Sequence, residues 1–418
     1  MNHLIGAYFF FAIYTSIPLI IGSTAIPNGA SLLAAPLLIW VAKGKLVSSE
    51  FIIIVYIVVS ILFLSTLHLF SGLAINAYFD SSLLLILGIV LGYLFFNAAS
   101  FVETERLSKI LLAVIVFIIT GMIFEVSGFG YVAEISDLFR HYFFEGHMYT
   151  SDLRDISLHG GIRPKFFTSE PSHVAKYLCV FIVCWWLISQ DRNKNYLVIF
   201  FTLLGTILLR SPQMVAIPVA FIAIYICRPN IGFKKRTIRF VLVFTLISLS
   251  VLFLYLMARE MLPARIFMIL NGEDNSLYQR LFAPMILTEA TFTTHPWLGY
   301  GVGSSASLDT IIKENLGMSL AGGTTFEQLR SVANAFFAHW ISFGIFGGIV
   351  LGALYAKLLH ELTGESGTFL AIALVSLFAL QQGGYNGSRI WFFFFLVAIV
   401  IRRSNFPRLP LQHKILKH

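Results

Sequence analysis

The chain has 418 residues, 57% of them hydrophobic and only 12% charged. A soluble protein carries roughly twice that charged fraction, so the composition excludes an ordinary soluble enzyme and indicates a polytopic membrane protein. The net charge of +8 collects at Arg228 to Arg239 and in the tail from Arg402 to Lys417, which fits membrane orientation rather than nucleic-acid binding.

A bilayer core takes roughly 20 apolar residues per helix. On that measure about twelve spans are expected, at 4–22, 27–42, 51–70, 82–99, 107–125, 172–189, 195–210, 212–227, 238–258, 332–356, 367–383 and 387–401. The first has no basic flank before it and reads as a span rather than a cleaved signal. The second is short and holds Pro27, Gly29 and Pro36, so a tilted, broken or re-entrant segment is the alternative there. The expected fold class is all-α, one integral-membrane domain over 1–418. Cys179, Cys184 and Cys227 all fall in apolar stretches, so no disulfide or cysteine metal site is expected in the polar segments.

Short loops rich in Lys and Arg stay in the cytoplasm. Lys43, Lys45, Arg106, Lys109, Arg192, Lys194, Arg228 to Arg239, Lys357, Arg402 and Arg403 all fall on one side if every span crosses once. Both termini are then cytoplasmic. Two long segments, about 126–171 and 259–331, fall outside. Within them Ile135 to Phe144, and more weakly Leu308 to Leu320, mix apolar and charged residues at helical spacing. Such helices are expected to lie flat on the outer membrane face.

Residues 160–175 read G-G-I-R-P-K-F-F-T-S-E-P-S-H-V-A and run from a polar segment into an apolar helix. Arg163, Lys165, Glu170 and His173 crowd that junction, where charge is costly unless it faces a cavity or partner. Ser169 or Ser172 is a candidate cap, and Pro171 suits a first helical turn. The plain alternative is an ordinary cap and interface anchor. Arg210 sits in L-L-R-S-P-Q between two apolar helices, either holding a lipid-linked phosphate or snorkelling to the interface. Arg280 opens R-L-F-A-P-M-I-L-T-E-A-T-F-T-T-H-P-W-L-G-Y-G-V-G. Its glycines permit close approach of backbone to a ligand but lack the strand and helix of a dinucleotide fingerprint. His295 and Trp297 are candidate interface anchors there. Arg330, Asn334 and His339 surround the entry to the tenth span, where His339 has the character of a packing residue. Arg389 opens the twelfth. No metal motif and no phosphate-binding loop is present, so no metal, cofactor or ATP is expected.

These motifs carry a resemblance. R-P-K-F-F-T-S-E-P-S-H-V-A resembles the "SEPS" stretch of bacterial O-antigen and exopolysaccharide polymerases. The arginine followed by H-P-W-L-G-Y-G resembles a pattern shared by O-antigen polymerases (Wzy-type) and O-antigen ligases, as do L-L-R-S-P-Q and V-A-N-A-F-F-A-H-W. Ligases carry a histidine before the asparagine at the late helix entry. Here Ala333 precedes Asn334, which turns the resemblance toward the polymerases. It implies a GT-C-type glycosyltransferase of the bacterial inner membrane, with its active site at the periplasmic face. The donor would be a growing glycan on undecaprenyl diphosphate, and the acceptor an incoming lipid-linked repeat unit. A chain-length regulator is an implied partner. Glu170 or His173 is the candidate base, with Glu170 accepting the proton and His173 assisting as the favoured arrangement, in a water-poor pocket that tunes a carboxylate toward neutrality. Arg210 and Arg280 would hold the diphosphate, with Arg163 and Arg389 as second candidates. Asn334, Arg330 and His295 would line the acceptor pocket. A ligase, or a flippase for lipid-linked oligosaccharide, is the competing reading. The sugars, the linkage and the oligomeric state are not legible.

Overall fold

The computed structural model describes residues 2–15, 19–21, 24–26, 34, 36–40, 47–68, 75–144, 152, 155–156, 161–227, 278–303, 308–316, 332, 334–381 and 388–404. Helix α1, Asn2–Tyr8, runs on as a π-helical turn over Phe9–Tyr14. Then come α2 (Ser48–Leu67), α3 (Ile75–Ala99), α4 (Thr104–Val126) and α5 (Gly130–Phe144). After the loop at 161–170 follow α6 (Pro171–Ile188), α7 (Lys194–Leu209), a 3₁₀ turn (Pro212–Val215) and α8 (Ala216–Ile226). The later elements are a π-helical turn (Tyr278–Phe282), α9 (Ala283–Thr294), α10 (Leu308–Leu316), α11 (Ala335–Thr363), α12 (Glu365–Ala379) and α13 (Ser388–Arg403).

Five of these helices are long and apolar enough to cross a membrane: α2, residues Tyr78–Ala99 of α3, α4, α6 and α11. The outer face of α2 leaves Phe51, Ile52, Tyr56, Val59 and Phe63 exposed. A stripe of that size has no place in water, so the protein is a membrane protein.

Two helices form the axis of the bundle. Every residue of α13 from Ile390 to Ile401 is buried, as is nearly all of α6. Helix α13 packs on α3, α12, α6 and α11, and α6 packs on α4, α7 and α8. Small residues let rings come close: a Cβ on Gly92 would lie 2.5 Å from the Phe395 ring. Without a hydrophobic drive between helices in lipid, such close packing supplies the attraction. Tyr8 stacks on Phe95 at 5.0 Å, and Phe9 meets both Phe95 and Phe181 edge-on.

Helices stand where spans three to eight and ten to twelve were expected. The first expected span is corrected: helix ends at Tyr14, and Leu19–Ile21 pairs antiparallel with Thr24–Ile26. Pro18 lacks the N–H that would continue the helix and biases the residue before it toward extended backbone. This ladder is also the one departure from the all-α expectation among the described residues. The tenth expected span is bent: Gly344 inside α11 has φ 62° and ψ −164°. The ninth span, most of the second, and the basic run at 228–239 lie outside the described residues. Helix α10 turns Leu308, Ile311 and Ile312 inward and packs on α9.

Candidate active site

The loop at 161–170 is braced from three helices. Glu125 at the end of α4 accepts the amides of Lys165 (3.1 Å) and Phe166 (2.8 Å). Ser136 of α5 accepts the amide of Phe167 at 3.0 Å, and Arg140 donates to the Thr168 carbonyl at 2.9 Å. Tyr14 donates to the Phe166 carbonyl at 2.8 Å. These bonds hold Phe166 (φ 22°) and Phe167 (φ 59°) in left-handed backbone that aromatic residues rarely adopt. Gly121 makes room for the Phe166 ring, where a Cβ would lie 2.0 Å from it. Helix α5 thus turns Ser136 and Arg140 inward, while Tyr131, Ile135, Leu138 and Tyr142 stand exposed. Over-determined strain of this kind marks functional loops.

The loop delivers Glu170 as the extended N-cap residue of α6, with Pro171 as the first helical residue. The Ser169 and Ser172 hydroxyls, expected as caps, serve the site instead. Ser172 donates to the Glu170 carboxylate, and Ser169 Oγ lies 2.9 Å from His173 Nδ1. Arg280 Nη2 reaches Glu170 Oε1 at 3.4 Å and Ser172 Oγ at 3.2 Å. His173 Nε2 lies 3.2 Å from Glu170 Oε1 and 3.4 Å from Arg389 Nη1. These two contacts need opposite states of Nε2, protonated toward Glu170 and bare toward Arg389.

Two members were missed by sequence reasoning. Lys176 lies one turn further along α6, buried, with its charge facing Arg280, Glu170 and Arg389. An ionisable residue inside an apolar run was the signal available. Gln213, three residues after Arg210, orients its amide to donate to the Ser172 carbonyl at 2.6 Å and accept from Arg280 Nη1 at 3.1 Å. Nothing in its local sequence announces that role. The basic groups around Glu170 decide its charge. Burial opposes ionisation, but His173, Arg280 and Lys176, with the bond from Ser172, hold its carboxyl well below the usual carboxylate range. That reverses the expectation of a carboxylate tuned toward neutrality, because ion pairing outweighs burial.

The other expected residues divide. Arg389 joins the cluster. Arg163 instead makes two bonds to the buried Asp155, at 2.9 and 2.7 Å. Arg210 sits in left-handed backbone at the end of α7, its guanidinium against Gly161, where a Cβ would come within 2.9 Å of Nη1. Asn334, buried at 1% exposure, spends its whole amide: Oδ1 accepts from Phe336 and Phe337, and Nδ2 donates to the carbonyls of Arg280 (2.9 Å) and Leu380 (3.0 Å). It clamps the backbone that carries Arg280. His339 bonds the Gly348 carbonyl at 3.0 Å across the bend of α11, as a packing residue does. His295 is exposed and lies against Tyr300, with ring centres 4.4 Å apart. Arg330 is outside the described residues.

The H-P-W-L-G-Y-G segment approaches another backbone. Tyr300 and Gly301 donate to the carbonyls of Ile341 and Ser342, and Ile345 donates to the carbonyl of Pro296. A Cβ on Gly299 would lie 2.5 Å from Gly344 N, and one on Gly344 would lie 2.5 Å from Gly299 N. Two glycines crossing backbone to backbone repair the hydrogen bonds that the bend in α11 opens.

Residues 11–403 match the family model described as WcaD colanic acid polymerase. The chain belongs to that family. No curated protein matches it. The match takes in the braced loop, α6, the Arg210 turn, Arg280 and Arg389. The cluster therefore belongs to a membrane-embedded polysaccharide polymerase.

Proposed function

We propose that the chain is a Wzy-type polymerase of the bacterial inner membrane, joining oligosaccharide repeat units at the periplasmic face. The growing glycan on undecaprenyl diphosphate is the donor, and the lipid-linked incoming unit is the acceptor. The observation that carries this reading is the gathering of Arg280 and Lys176 around the Glu170 carboxylate, with Arg389 joined to it through His173, at the end of an apolar bundle. Three basic groups against one acid leave a surplus suited to a diphosphate, and arginine matches phosphate with a planar fork. The acceptor oxygen attacks the anomeric carbon, the bond from that carbon to the diphosphate breaks, and the hydroxyl proton passes to Glu170. The diphosphate leaves with the bonding pair, its charge held by Arg280 and Arg389.

The resting site suggests how Glu170 becomes a base. Arg280 is shared between Glu170 and the arriving diphosphate. Drawing it to the phosphate removes a charge that depresses the carboxyl, and burial then works in favour of proton uptake. The family match favours this polymerase over the ligase or flippase.

The test is complementation of a deletion strain with wild type, Glu170→Gln and Arg280→Ala at equal membrane expression. Loss of one charge donor to a leaving group costs about 10²–10³ in rate. Both variants should stop polymer growth and accumulate single-unit lipid-linked sugar. Normal polymer from Arg280→Ala would remove the diphosphate assignment. Absence of single units on the outer face of the deletion strain would remove the polymerase.

A further inference from the structure

A cavity of about 330 Å³ lies between α11, α12 and α13. Ala335 on its wall follows Asn334, which grips the carbonyls of Arg280 and Leu380. Ile390 on its wall follows Arg389, which meets His173. The starts of α11 and α13 thus carry, in adjacent residues, a tie to the cationic cluster and the wall of an apolar chamber.

We propose that this cavity seats the first isoprenoid units of a polyprenyl chain whose diphosphate lies against Arg280 and Arg389. The proposal rests on the diphosphate reading above and names where the lipid goes. The walls are aromatic: Phe336, Trp340, Tyr355, Trp391 and Phe394 face it. Two glycines shape it. A Cβ on Gly348 would press within 2.7 Å of the Trp340 ring, so that glycine lets the indole lie flat on the helix. A Cβ on Gly352 would meet nothing within 4 Å, so that glycine opens onto empty space. The volume falls in the range of small-ligand sites, roughly 300–1,000 Å³, and holds the head-proximal part of a long chain.

Lipid tails are as apolar as the walls, so entering the cavity gains little transfer free energy over the bilayer. The cavity therefore contributes shape, and the cations contribute affinity. That division favours a polyprenyl diphosphate over a phospholipid. A phospholipid brings two chains and one phosphodiester charge, whereas here wall residues Ala335 and Ile390 directly follow Asn334, which holds the backbone of Arg280, and Arg389. Methyl-branched isoprene units also offer the ring faces more contact than a straight acyl chain does.

The experiment uses the purified full chain in nanodiscs, with repeat units carried on a long polyprenyl diphosphate or on one shortened to two isoprenes. Gly352→Leu should lower kcat/KM about tenfold for the long carrier and leave the short carrier within twofold. Equal loss on both carriers, or no loss on either, overturns the cavity assignment. A sugar-free polyprenyl diphosphate with a diazirine on its first isoprene supplies a reading independent of catalysis. It should crosslink to peptides of α11 or α13, less in Gly352→Leu, and resist a hundredfold excess of phospholipid. Crosslinking there without polymerisation keeps the cavity and sinks the polymerase. Polymerisation with crosslinks elsewhere, or with crosslinks displaced by phospholipid, keeps the polymerase and sinks the cavity.

Discussion

Glu170 is held as an anion by groups that a substrate would also want. A carboxylate whose folded pKa is depressed keeps its ion pairs at every pH above its unfolded value, about 4.3. It loses them only as pH falls through the lower folded value. The resting site should therefore keep its charges through mildly acidic pH. The acid limb of kcat/KM, which reports free enzyme, should fall below the ordinary carboxylate range. The limb of kcat, which reports the loaded enzyme, should sit higher, because Arg280 has moved to the diphosphate. Coincident limbs would mean that Arg280 does not exchange partners. Asn334 gives a second residue-scale test. Asn334→Asp keeps the acceptor that caps α11 but loses the donor that grips Arg280. Its buried carboxylate then faces the carbonyls of Arg280 and Leu380, so it should unfold at a lower temperature and polymerise at least tenfold more slowly. Asn334→Ala should lose the cap as well, at about 0.5–2 kcal/mol. Wild-type activity in Asn334→Asp would make the residue a cap and nothing more.

At the scale of elements, the site depends on a bent helix and a braced loop. The positions of the helices were legible because about 20 apolar residues in a row have few other fates. The bend in α11 was not. Gly344 sits in an apolar run like any membrane glycine, and its φ of 62° exists because a remote backbone crosses it. The glycines of H-P-W-L-G-Y-G were legible as a close approach, but their partner was not, because Gly299 meets Gly344, far along the chain. Likewise the amphipathic period of α5 was visible, while the reason for its inward Ser136 and Arg140 lies in the loop they hold. Gly344→Ala tests the crossing. Its backbone region is open to glycine alone, so the strain is about 1–3 kcal/mol before any clash with Gly299. The variant should melt several degrees lower in detergent and polymerise poorly, since α11 begins at the Asn334 clamp. An unchanged melting temperature would show that the bend tolerates a side chain.

At the scale of the whole molecule, helix direction separates two ends. Helices α6, α11 and α13 begin at or beside the Glu170 cluster and run away from it, ending near Arg192, Lys357 and Arg402. Helix α4 runs the other way, from Arg106 and Lys109 to Glu125 beside the braced loop. At the far end Arg403 binds the carbonyls of Ser100 and Val102, closing α13 onto the turn between α3 and α4. The charge asymmetry read along the chain is therefore also an asymmetry in space, with basic connectors at one end and Glu170 at the other. What no linear reading supplies is the meeting of Gln213 and Lys176 with Arg280 beside Glu170, because that depends on which helices become neighbours. Since basic connectors face the cytoplasm, the expected placement puts Glu170 on the outer side, and cysteine labelling decides it. In a Cys227→Ser background the remaining native cysteines, Cys179 and Cys184, are buried. Ile162→Cys, exposed beside the braced loop, should react with a membrane-impermeant maleimide in intact spheroplasts. Lys109→Cys, exposed at the other end, should react only after permeabilisation. The reverse pattern would place the Glu170 cluster in the cytoplasm, where a donor delivered from the outer face could not reach it.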